Sequence, residues 1–219
     1  SGGESAAINA DLTDIAGQLY LGDGLNAKGE VRFVSSVIAK DVDCDNGHFL
    51  NPNGNALSFD STVIGRSLRI GYDSSAGTDK DTSLPAGFVA RGTVRLYGTH
   101  INQDLLASGG EFETPAGQAI VACNLKVASR AVITCAKVKG QVDLSAADIE
   151  HELDLRGSHF DGSQAYNRIA IWANGMKVRG HVYCNQVQEP NQTWSFSVDG
   201  LMSFQFVDID MSWNLYGAT

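Results

Sequence analysis

Apolar residues recur along this chain in short bursts at a constant interval. In residues 141–160, Val142 and Leu144 flank one carboxylate and Leu153 and Leu155 flank another, with Ile149 between the two pairs. The rule is apolar-x-apolar, an aliphatic residue at +7, then apolar-x-apolar again at +11. The same template fits Ile8, Ile15 and Leu19; Val31, Ile38 and Val42; Leu57, Ile64 and Leu68; and Val94, Ile101 and Leu105. It fits Ile120, Val127 and Ala131; Ile171, Val178 and Val182; and Met202, Ile209 and Trp213. The middle position is Ile or Val in all eight copies. Alternation with β-branched residues is a strand signal. Segments this short hold only by stacking on the next copy, which also satisfies their backbone groups.

The links between copies behave differently. From the second pair of one copy to the first pair of the next, the steps are 12, 15, 26, 15, 11, 18 and 20 residues. One arc of each turn is therefore constant and the length variation falls elsewhere. The pattern predicts an all-β, right-handed parallel β-helix of about eight coils, with a minimum coil of 22 residues and insertions at one corner. At a strand spacing of about 4.8 Å, eight coils make a rod about 38 Å long. Residues 1–7 read as a lead that includes a cloning scar, Ser1-Gly2-Gly3, and residues 8–219 as a single β-helix domain. No capping helix is evident at either end, so the expectation is a piece of a longer protein or a module that stacks end to end.

Composition sharpens this picture. The chain has 219 residues, with 24 Gly and only 4 Pro, as suits many turns and few long helices. A net charge of −9 disfavours a nucleic-acid-binding surface, which needs clustered Lys and Arg. No apolar run is long enough to span a membrane. Cys44, Cys123, Cys135 and Cys184 match neither CxxC nor a zinc spacing. They read as reduced, buried thiols, which favours a cytoplasmic setting.

Once the copies are aligned, the text resembles a bacterial group of pentapeptide-repeat-like proteins. Residues 87–101 match its motif at Phe88, Ala90, Gly92, Val94, Arg95, Leu96 and Ile101. Val42, Cys44 and Phe49 match a second part, and residues 51–65 a third. The resemblance implies a right-handed β-helix. The long insertions depart from a strict five-residue step. An oxidoreductase label borne by some relatives finds no GxGxxG turn or paired redox cysteines here.

Candidate chemistry is sparse. Asp143 and Asp154 fall on outward slots of two different faces, as solvated positions, and no cofactor is implied. His48, His100 and His159 fall at corners and form no metal pattern. Asp73, Asp79 and Asp81, in the longest insertion at 71–93, are a weak calcium candidate without the EF-hand spacing. The Asn191-Gln192-Thr193 sequon is one in form only. Trp172 and Tyr183 point outward in late coils, with Tyr166 and Trp194 in neighbouring insertions, a set that could bind sugar or protein unless the insertions fold over it. Leu106, Val121 and Val132 suggest an apolar stripe, for an oligomer contact or beneath a loop.

The favoured expectation is a non-enzymatic scaffold or protein-interaction module, including self-association. The alternatives are a polysaccharide-binding or carbohydrate-active β-helix and an acidic DNA mimic. A groove in which insertion and coil side chains converge on at least two carboxylates would argue for the enzyme. A continuous acidic stripe would argue for the mimic, and the mixed outward ladders count against it.

Overall fold

The computed structural model describes residues 6–71, 87–189 and 192–216, and shows the stacked parallel sheets of a β-helix. Parallel crossovers of this kind are right-handed in nearly all proteins. Three sides of each turn carry the template. On the first side, Ile8, Val31, Leu57, Val94, Ile120, Val142, Ile171 and Met202 pair in that order. On the second, an eight-stranded sheet, Ile15, Ile38, Ile64, Ile101, Val127, Ile149, Val178 and Ile209 do the same. On the third, also eight-stranded, Leu19 to Trp213 follow suit. The inward side chains of the inner copies form one continuous core. In the first and last copies Ile8, Ile15, Leu19, Met202 and Ile209 are only half-buried.

The constant arc follows from its turns. Four residues after each first-side residue the chain turns with positive φ, at Leu12, Ser35, Ser61, Gly98, Asn124, Ala146, Gly175 and Phe206. A repeated left-handed residue sets the same bend in every copy, at some steric cost where it carries a Cβ. The next residue inward is a buried hydroxyl in three successive copies. Ser36, Thr62 and Thr99 donate to the carbonyls of Ala10, Phe33 and Phe59 in the preceding coil. These bonds satisfy polar groups inside an apolar column.

A fourth side completes each turn. Here Ala27, Phe49, Ala90, Phe112, Val138, Phe160 and Val198 pair in sequence. From these residues to the next first-side residue the step alternates: 4, 8, 4, 8, 4, 11 and 4. Narrow corners follow Ala or Val and wide corners follow Phe. Every narrow corner turns on a glycine with φ between 117 and 136°, at Gly29, Gly92, Gly140 and Gly200. At Gly92 a Cβ would lie 2.2 Å from the Asn51 carbonyl oxygen, and at Gly140 one would lie 2.4 Å from that of Thr114. The bulged corner of one coil thus rests on the bare corner of the next, and only glycine satisfies both contact and φ.

The alternation also governs the core. Two residues before each fourth-side position stand Leu25, Gly47, Phe88, Gly110, Ala136, Ser158 and Phe196. Where the fourth-side residue is Phe, this neighbour is Gly or Ser; where it is Ala or Val, the neighbour is the bulkier Leu25, Phe88 or Phe196, except at Ala136 before Val138. A Cβ on Gly110 would meet the Phe112 ring at 2.7 Å, and one on Gly47 the Phe49 ring at 2.9 Å. In five of the seven corners one ring, from either position, fills the space. Phe49, Phe88 and Phe112 accordingly stack with centroids 5.4 and 5.2 Å apart.

The single variable corner expected from the sequence resolves into two. The bulges lie after the fourth side. The two longest insertions lie before it, and each returns to the core through a phenylalanine, Phe88 or Phe196.

Candidate functional site

The outward carboxylates are largely engaged in holding coil to coil. Asp11 accepts from Arg32 Nε and from the Val34 amide of the next coil. Asp60 does the same for Arg95 and Tyr97, and Asp45 for Arg69 and Gly71. Asp104 forks Arg130 and accepts from its amide. The Arg32 guanidinium holds the Asp11 carboxyl below its ordinary value, and the Ser163 hydroxyl and amide do so for Asp161. Burial pushes Asp43 the other way.

Asp143 and Asp154 stand on the first and third sides and share no groove. Asp143 accepts from Ser145 N at 2.9 Å and from Gln118 Nε2 at 3.2 Å. Asp154 corrects the expectation of a solvated position. Its side chain is only 5% exposed, with Arg156 at 2.5 Å. Val121 is likewise buried rather than part of an exposed stripe, while Leu106 and Val132 are half-buried.

The four aromatic candidates separate. Trp172 stands in the first-side ladder between Asp143 and Ser203. Tyr166 lies on a short 3₁₀ turn and is exposed. Tyr183 is on the third side, under the Arg156 guanidinium at 5.2 Å. Trp194 ends an antiparallel hairpin, in which Val187–Glu189 pairs with Gln192–Trp194.

That hairpin roofs a recess. It arises from the insertion before Phe196 and leans over the third side, enclosing a groove of about 940 Å³. Val132, Glu152 and Asp154 form its floor, with Arg130 and Arg156. Ser108, Thr134 and Cys135 line the adjacent corner, and Glu111 and Lys137 the fourth side. Gln186, Val187, Gln188 and Trp194 come from the insertion. Gly157 seats the tryptophan: a Cβ there would lie 2.8 Å from that of Trp194. Within the groove Lys137 reaches Glu111 at 3.1 Å, and the Ser108 and Thr134 hydroxyls bond at 2.8 Å. Arg130 is anchored to Asp104 at 3.1 Å. The sequence pointed to Trp194 alone, because the remaining residues come together only through stacking.

Other sites carry less. His48 and His159 lie on fourth-side strands rather than in turns, with His159 Nδ1 2.8 Å from Ser197 Oγ. His100 borders a hollow of about 210 Å³ with Lys126, Asp148 and Glu150. No disulfide joins the cysteines. Burial pushes the Cys123 thiol up to about 12 and Cys184 to about 11, so neither is a ready nucleophile at neutral pH. Asp73, Asp79, Asp81 and Asn191 lie outside the described residues. Among the described residues, no cluster of three or more His, Cys, Asp or Glu could hold a metal, and no helix is long and apolar enough to cross a membrane. No protein-family profile, curated protein or solved structure matches this chain significantly.

Proposed function

We propose that this protein is a non-enzymatic binding module, in which the stacked coils act as a rigid scaffold and the hairpin-roofed groove takes the ligand. The carrying observation is the groove itself, where an insertion and coil residues of the third and fourth sides converge around about 940 Å³. A concave site held by a rigid frame is the common setting of a ligand pocket, and here its lining is mostly polar. A binding role is supported by the state of the charges, since Glu111, Asp154 and Arg130 each already have a close ionic partner. Kinship with the pentapeptide-repeat-like group is part of the proposal, supported by four sides to each turn.

A second reading is a carbohydrate-active enzyme, favoured by three carboxylates in one groove, Glu111, Glu152 and Asp154. Glu152 has no ion pair within 4 Å among the described residues, and so is the one to test. Two experiments separate the readings. Amide chemical shifts followed during titration with neutral oligosaccharides, acidic oligosaccharides and extended peptides are expected to move around the hairpin and third side. Movement confined elsewhere overturns the binding site. Reducing-end release from polysaccharides is expected to be absent; release that is lost in Glu152→Gln establishes the enzyme instead.

A further inference from the structure

We infer that the ligand of this groove is a neutral oligosaccharide segment; the inference rests on the binding-module reading above. The first argument is charge. Arg130, Lys137 and Arg156 face Glu111, Glu152 and Asp154, so the groove holds three formal positive and three formal negative charges. Each cation is already tied to a carboxylate, at 3.1 Å for Lys137, 2.5 Å for Arg156 and 3.1 Å for Arg130 to Asp104. An anionic ligand must compete with a carboxylate for one of these cations and leave a partly buried charge unmatched, which is costly. An uncharged hydroxyl need break none. It accepts from the unused N–H groups of a guanidinium and donates to the unused lone pairs of a carboxylate.

The second argument is the rest of the lining. Ser108, Thr134, Gln186 and Gln188 carry groups that both donate and accept, as a string of sugar hydroxyls requires. Trp194 adds a large, half-buried ring with one polar tip, suited to the apolar face of a sugar whose rim is polar. A peptide is the rival occupant. An extended peptide gains most from adding to an open strand edge. The strand under the groove, Ala131–Val132, is paired on both edges, to Leu105–Leu106 and Leu153–Asp154. The coil surface therefore offers peptide backbone no partner, and a peptide is left with the outer edges of the short two-stranded hairpin.

The test uses the intact chain and calorimetry against neutral hexasaccharides (gluco-, xylo- and manno-configured), an oligogalacturonate and an extended neutral peptide. At least one neutral hexasaccharide is expected to bind, with little change between 50 and 500 mM salt, roughly as for an interaction without net ion pairing. Trp194→Ala is expected to weaken it about tenfold or more, roughly the loss of one aromatic contact. Trp194 packs on Gly157, so Gln188→Ala, on the hairpin but with less packing, serves as a second variant and is expected to weaken binding several-fold. Oligogalacturonate or peptide binding in the groove, without neutral sugar, overturns the ligand class and leaves the binding module standing. Failure of every probe, with both variants indistinguishable from the parent, overturns the inference and removes support for the groove.

Discussion

The two halves of each coil obey different rules. From the first side to the third, every copy takes eleven residues and the same left-handed turn. From the third side back to the first, lengths vary, corners alternate, and the hairpin insertion before Phe196 leaves the scaffold. The constant half supplies regular stacking. The variable half supplies the roof of the groove over a floor that the third side provides. Rejoining has a chemistry of its own: one aromatic ring at most corners, and a bare glycine against each bulge.

The strongest way to break this distinction is at a ring. Phe112→Ala should destabilise the protein by about 3–5 kcal/mol, as for other buried Phe truncations, measured by denaturant titration. The double change Gly110→Phe with Phe112→Ala copies the Phe88–Ala90 arrangement and should recover a substantial part of that loss. No recovery would mean that the reciprocity is accidental. Next comes the bare corner. Gly140→Ala places a methyl against the Thr114 carbonyl at unfavourable φ, and should cost about 1–3 kcal/mol. On the constant half, Ala146 adopts φ 53°, and Ala146→Gly should relieve strain for a gain of up to about 1 kcal/mol. Opposite signs at these two positions, read from melting temperatures, would sharpen the comparison.

The smallest effect is electrostatic. Asp11 has a lowered folded value, so its contribution is complete above the unfolded carboxylate value of about 3.9 and is lost as pH falls through the folded one. Asp11→Asn should therefore cost on the order of 0.5–1 kcal/mol at pH 7, as for partly exposed pairs. The gap between variant and parent should close below about pH 4. A gap that stays constant to pH 2 would show that the Arg32 clasp is not electrostatic.

Three of the four sides were legible in the sequence, because their inward residues are always apolar and always equally spaced. Ile149 or Val178 could be placed from the text alone, and each pairs with its counterpart. The fourth side escaped notice because its signal is shared between two positions. Read singly, Ala27, Phe49, Ala90 and Phe112 look like noise; read with Leu25, Gly47, Phe88 and Gly110, they keep one bulky side chain per corner. The groove was less legible still. Glu111, Val132, Asp154 and Trp194 are far apart in the chain, and nothing local in 185–196 says which side the hairpin leans toward. Charge misled in a different way: Asp154 reads as a solvated acid until its fork to Arg156 is seen.

The glycine corners also set a parity for the whole rod. A bulged corner needs a bare one above it, so narrow and wide coils are the two halves of a single building unit. Removing one coil would set bulge on bulge or bare corner on bare corner at the splice, whereas removing an adjacent pair would leave every contact type intact. Shortened or lengthened versions should therefore fold in even steps, and tandem duplication within such a gene would succeed only when it copies coils two at a time.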